Sequence, residues 1–212
     1  MINNLLLVFT SPTCSYCPGA HETVKELSAK YPDHFLPVII PASVHYNSNN
    51  DILMDGQRYY NKFNLTFLPS AILNLKEPAI MLPDWENAIK ENINNISQHH
   101  LDITVEYIYN AIYISLNSPD DNYNGKLLIW QLKDNEKIIQ KNIKNKWEET
   151  YYNNYFQKSI TPIDGDDINL IKNIPYNISY SNIDNLSNDT FLLIIIYNND
   201  GNIDMIKKIG KQ

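Results

Sequence analysis

Two cysteines, Cys14 and Cys17, stand in the segment Val8-Phe-Thr-Ser-Pro-Thr-Cys-Ser-Tyr-Cys-Pro-Gly-Ala-His21, and the chain contains no others. A small secreted fold held together by disulfides spreads several cysteines along its length. A single C-x-x-C near the start points instead to chemistry or to a metal. With Cys14 at the start of a helix, unpaired backbone N–H groups and the helix dipole stabilise a thiolate and lower its pKa below the usual value near 8.5. Cys14 is then the exposed attacking thiol, and Cys17, one turn further in, resolves the mixed disulfide. A structural zinc site is disfavoured, because the chain has neither a second C-x-x-C nor a His pair at finger spacing.

Other candidates are weaker. His21 is four residues beyond Cys17 and shares the helix face of the pair, where it reads chiefly as a half-exposed helix residue and alternatively as a third copper or zinc ligand. Tyr16, inside the dipeptide, shapes the substrate surface. His45 reads as a loop histidine near the carboxyl end of a strand. His99-His100 marks a domain join. Arg58 and Asp55 form a solvated helix face, and Tyr151-Tyr-Asn-Asn-Tyr-Phe156 is an aromatic cluster suited to core packing.

Two rhythms position these residues. Through residues 1–98, short apolar runs alternate with helical spacing. Leu5–Phe9 reads as a strand buried on both faces. Ala20, Val24, Leu27 and Tyr31 recur at helical spacing before Pro32. Phe35–Ala42 is a strand in which Pro37 and Pro41 allow only partial pairing. Ile52–Phe63 and Trp85–Ile96 are helices, and Ala71–Leu75 and Ala79–Leu82 are short strands, giving the order βαβαββα. From Leu101 the period becomes two: Leu101, Ile103, Val105, Tyr107 and Tyr109, then Ile112, Ile114 and Leu116, with further strands at Lys126–Leu132 and Thr190–Tyr197. Asn124-Gly125, Asp164-Gly165 and Asp200-Gly201 read as hairpin turns. Glu136–Thr150 fits helix as well as strand, through Ile139, Ile143 and Trp147. Residues 101–212 are therefore expected to form a mainly antiparallel β-sandwich of immunoglobulin-like scale.

The 212 residues, 43% of them apolar and 19% charged, allow one large domain or two small ones and exclude a disordered or fibrous chain. A net charge of −7 argues against a nucleic-acid partner, whose footprint is a basic patch. No apolar run approaches the roughly 18–20 residues of a membrane-spanning helix. The 30 Asn, 30 Ile and 15 Tyr against 6 Gly read as compositional bias, which makes a lone Asn weak evidence. The N-terminus lacks a basic n-region, so it is not read as a secretory signal. The expectation is a cytoplasmic protein or one whose leader precedes this chain.

Phe9-Thr-Ser-Pro-Thr-Cys-Ser-Tyr-Cys-Pro18, Val44-His-Tyr46, Gly56-Gln-Arg-Tyr-Tyr-Asn-Lys-Phe63 and Leu68-Pro-Ser70 together resemble a bacterial secreted or outer-membrane thioredoxin-like family with a C-terminal β-sandwich. The resemblance spans about residues 5–75. It implies an α/β thioredoxin-like domain at 1–98 followed by the β-sandwich at 101–212. It also implies a cis bond before Pro69, with Leu68 and Pro69 facing the cysteine pair and pairing with an extended substrate. One departure matters. The best-known thioredoxins carry a buried carboxylate six residues before the first Cys, and here that position is Val8.

The leading expectation is a thiol–disulfide oxidoreductase of the cell envelope, periplasmic, outer-membrane-associated or secreted. Cys14 and Cys17 are its catalytic residues, and Tyr16, Leu68 and Pro69 its substrate contacts. Its partners are protein or peptide thiols and disulfides and a redox partner protein, and it needs no cofactor or metal. A non-enzymatic envelope protein using the N-terminal half as a binding platform is the alternative. A copper or zinc carrier through Cys14, Cys17 and His21 is the third reading. The C-terminal half, without Cys or His after His100, is expected to supply no catalytic group.

Overall fold

A computed structural model describes residues 4–42, 51–94, 99–184 and 186–210. His45 and the Val44–Tyr46 motif lie outside them. The first half contains β1 (Asn4–Thr10), α1 (Cys17–Lys30), β2 (Phe35–Pro41), α2 (Asp51–Lys62), β3 (Ser70–Leu73), β4 (Lys76–Ile80) and α3 (Trp85–Asn92). The second half is all strand: β5 (Asp102–Ile108), β6 (Ala111–Asn117), β7 (Tyr123–Lys133), β8 (Glu136–Lys141), β9 (Trp147–Tyr152), β10 (Tyr155–Ser159), β11 (Asp166–Leu170), β12 (Tyr176–Tyr180), β13 (Thr190–Asn198) and β14 (Ile203–Ile209).

These strands correct the expected fold class. The described residues are mainly β, with parallel and antiparallel pairings, and include a three-stranded sheet of β5, β6 and β12 and a two-stranded ribbon of β8 and β9. An independent α/β thioredoxin-like domain followed by a free-standing immunoglobulin-like sandwich is not what forms. The compact units are discontinuous in sequence: Met1–Asn95 with Leu132–Lys158, and Ile96–Gln131 with Ser159–Gln212. The expected division at 1–98 and 101–212 had placed all of Leu132–Lys158 in the second domain. The physical reason is strand pairing, because β10 lies parallel to β2 through Tyr155 and Ile39.

In the first unit β1 is central, parallel to β2 and antiparallel to β3, with β4 beyond β3. All seven β1 residues are buried, as an apolar run covered on both faces should be. Asn4, the polar exception at its start, donates to the carbonyls of His34 and Asn92 and accepts from Asn74 Nδ2. Pro37 and Pro41 do not interrupt β2, whose register with β1 runs from Leu6–Pro37 to Thr10–Pro41. The Ile39 N–H points away from β1 to the Asn154 carbonyl. Residues 37 and 41, two positions either side, turn their nitrogens to that same edge, where no hydrogen on N is required. In α2, Gly56 approaches β2 so closely that an added Cβ would lie 1.9 Å from the Pro41 carbonyl oxygen.

The ambiguous segment Glu136–Thr150 resolves as the antiparallel ribbon β8–β9, with Ile139, Ile143 and Trp147 exposed rather than forming a helical apolar face. The first unit's core joins Leu6, Val8, Val24, Phe35, Ile39 and Trp85 to Tyr152 and Tyr155.

In the second unit β6 lies between β5 and β12, while β7 pairs β11 and β13 pairs β14. One core cluster gathers Ile112, Ile114 and Leu116 of β6 with Leu127, Ile168, Leu192 and Ile194. The period-two signal is realised in β5, whose residues alternate between exposed and half-buried. Gly165 and Gly201 take positive φ at turns, but Asn124-Gly125 lies inside β7, where an added Cβ on Gly125 would meet the Tyr197 carbonyl oxygen at 2.5 Å. Asn takes over the turn role that scarce glycine leaves open. Asn64, Asn74, Asn110, Asn135, Asn145, Asn154, Asn173 and Asn182 all have φ between 49° and 62°, a region where the short amide side chain is tolerated.

Candidate functional site

Helix α1 begins at Cys17, with Tyr16 at its N-cap and Pro in the first turn, where a missing N–H costs nothing. Cys14 therefore sits in the turn ahead of the helix, not in its first residue. Its N–H donates to the Ser11 carbonyl at 3.0 Å, and the Cys17 N–H donates to the Cys14 carbonyl at 3.3 Å. Cys14 and Cys17 form a disulfide. Cys14 is half-buried and Cys17 is only 2% exposed. Tyr16, between them, is 65% exposed.

The Leu68–Pro69 bond is cis. Both residues are half-buried at the entry to β3. Pro69 and Cys17 line one tight internal space with Val8, Phe9, Thr10, Ala20, His21, Ile39 and Tyr152, too small to admit a water. None of these lining residues is a carboxylate.

The ribbon β8–β9 supplies contacts that sequence reasoning missed. Gln140 Nε2 donates to Thr10 Oγ1 at 3.3 Å and to the Ser11 carbonyl at 3.1 Å. The Lys141 N–H donates to the Pro12 carbonyl at 2.8 Å, so the ribbon grips the loop leading into Cys14. The Tyr152 hydroxyl donates to Gln140 Oε1, and burial pushes its pKa up to about 12. No local spacing announces these pairings. The only available signal was the Tyr151–Phe156 aromatic cluster, which does pack: Tyr152, Tyr155 and Phe156 are buried.

His21 is not half-exposed. It is 5% exposed, with its ring 4.2 Å from the Tyr152 ring, centroid to centroid. Its Nε2 lies 3.0 Å from the Tyr151 carbonyl. A carbonyl only accepts, so Nε2 carries the proton. Nδ1 is buried and has no hydrogen-bond partner among the described residues. Desolvation, and after it the Lys25 charge, lower the His21 pKa below its ordinary value, against the opposing Tyr151 hydrogen bond and Glu22 charge. The imidazole is therefore neutral at pH 7. Among the described residues no group of three or more His, Cys, Asp or Glu is placed to hold a metal ion, and His21 Nε2 is already engaged. The carrier reading gains no support. Arg58 and Asp55 pair with each other at 3.0 Å on α2, with Arg58 exposed, as a solvated face does.

With this geometry in place, comparison with known proteins locates the chain. A family described as outer membrane protein Omp28 matches residues 56–211, well over half of the sequence. The chain belongs to the Omp28 family. Membership makes it a bacterial envelope protein associated with the outer membrane, and the cytoplasmic alternative finds no support. No helix among the described residues is long and apolar enough to cross a membrane. The family match begins beyond the cysteine pair, so membership says nothing about Cys14 and Cys17. Among solved structures, this Omp28 family member is similar to HBP35 of Porphyromonas gingivalis, at 15% identity and a TM-score of 0.73, over 99% of this chain and 75% of the other. It is also similar to a protein of Agrobacterium tumefaciens, at 11% identity and a TM-score of 0.60, over 100% and 95% of the two chains. These likenesses concern the fold alone. No curated protein matches the sequence.

Proposed function

We infer that this Omp28 family protein exchanges disulfides with protein or peptide thiols in the bacterial envelope through Cys14 and Cys17. The observation that carries this reading is the disulfide's asymmetry: a half-buried Cys14 in a turn, joined to a buried Cys17 that opens α1. An incoming thiolate attacks Cys14 Sγ, a mixed disulfide forms and the Cys14–Cys17 bond breaks. The reverse sequence returns the pair to the disulfide. Tyr16, Leu68 and Pro69 are the surface that meets the substrate chain, and a redox partner protein resets the cysteines. Trp147 and Tyr151, exposed on the ribbon that grips the disulfide loop, add apolar area for a client polypeptide.

The test is reduction of insulin and reshuffling of a scrambled disulfide substrate by wild type and by Cys14→Ser. Turnover in wild type that is lost in the variant supports exchange. Equal, background-level rates in both leave the binding-platform reading in its place.

A further inference from the structure

We propose that His21 Nδ1 is the proton acceptor for Cys17, in a space whose lining residues include no carboxylate. The inference rests on the disulfide-exchange reading above and specifies how its second step is driven. Three observations converge. Cys17 and His21 are four residues apart on α1 and line the same water-free space, and helical side chains at that spacing are neighbours, each leaning toward the helix N-terminus. Nε2 donates to the Tyr151 carbonyl, so in the neutral ring the free lone pair lies on Nδ1. That lone pair is buried and has no partner among the described residues while the cysteines are oxidised, although leaving a buried acceptor unpaired is costly. Reduction creates a Cys17 S–H beside it, which supplies the missing donor.

The steps balance with a protein or peptide disulfide as oxidant. The Cys14 thiolate attacks one substrate sulfur and the other leaves as a thiolate. Cys17 Sγ–H passes its proton to Nδ1, and the resulting thiolate attacks Cys14 Sγ. The Cys14–Cys17 bond forms, the second substrate thiolate departs with the electron pair of the broken bond, and the imidazolium releases its proton to solvent or to that thiolate. Two electrons move from the cysteines to the substrate. The other charged or titratable groups around His21 are Glu22 and Lys25 on α1, whose charges act in opposite senses, and Tyr152 on β9 with Tyr155 behind it on β10. Burial raises both phenols, which stay neutral when a thiol ionises.

The experiment mixes the reduced full chain with a chromogenic aromatic disulfide in a stopped-flow instrument, which resolves two releases of aromatic thiolate. The first reports attack by Cys14 and the second resolution by Cys17. His21→Gln is expected to leave the first release unchanged and to slow the second on the order of a hundredfold near neutral pH. The gap should close as pH rises past the ordinary thiol pKa of about 8.5, where Cys17 ionises without help. Equal second-phase rates across that range overturn the proposal while leaving exchange intact. A wild type with no first release overturns the exchange reading itself and this proposal with it. Should the variant fail to fold, 15N NMR of wild type decides: the His21 Nδ1 resonance shifts on reduction if it accepts from Cys17, and an unmoved resonance overturns the assignment.

Discussion

Burial separates the two sulfurs of the pair more sharply than their three-residue spacing does. Cys14 is half-buried in the turn before α1, whereas Cys17, the first residue of α1, is only 2% exposed. In reduced protein, Cys17→Ser, which leaves only Cys14, is expected to alkylate at least about tenfold faster than Cys14→Ser, because exposure and thiolate character govern labelling. The rates with a small alkylating reagent check this, and faster labelling at Cys17 contradicts it. His21 makes a second prediction at this scale. Its folded pKa lies below the ordinary value, so between the two values the unfolded chain binds more protons. The stabilisation from keeping His21 neutral is therefore present above its ordinary pKa of about 6.5. It is lost as pH falls through the window between the two values, at no more than about 1.4 kcal/mol per pH unit. Thermal melts of wild type should fall more steeply from pH 7 towards pH 5 than those of His21→Gln. Parallel slopes would show that His21 does not titrate with folding.

Two elements shape the surroundings of the cysteine loop without supplying a reacting group. The β8–β9 ribbon holds the loop before Cys14 by Gln140 and by the Lys141 N–H, and its tip turns at Asn145 with φ 59°. Helix α2 rests against β2 at Gly56. Gly56→Ala puts a Cβ where the Pro41 carbonyl already stands. Backbone cannot move aside as a flexible side chain does, so a loss of about 1–3 kcal/mol is expected in chemical denaturation, exceeding any gain from alanine's helix propensity of about 1 kcal/mol. A neutral or stabilising Gly56→Ala would mean that α2 is free to shift from β2.

At the scale of the whole molecule, the first unit is not a contiguous piece of chain. Residues 1–98 alone lack Tyr152 and Tyr155, which belong to the core with Leu6, Val24 and Ile39, and they lack β10 beside β2. Residues 1–98 are therefore not expected to fold by themselves. The isolated segment should show no cooperative thermal unfolding, whereas Met1–Lys158 and the full chain both contain every strand of that unit. A sharp calorimetric transition for residues 1–98 would overturn this.

Local pattern was enough for much of the architecture near the cysteines. The Leu5–Phe9 run, the apolar spacing of α1 and the alternation of β5 each depend on periodicities of a few residues, and each became the expected element. Type and spacing alone singled out the cysteine pair, which forms a disulfide. Fold class was misread because pairing between distant strands has no local signature: nothing in Tyr155 indicates that it will lie beside Ile39, and nothing in Ile139 or Trp147 distinguishes ribbon from helix. Asn turns were overlooked because an abundant residue carries little information by its presence, although its side chain tolerates the positive φ that Gly was too scarce to supply. His21 shows most plainly what tertiary structure decided. Sequence placed it one turn beyond Cys17, but its burial, protonated nitrogen and unpartnered lone pair come from Tyr151 and Tyr152, 130 residues or more away along the chain.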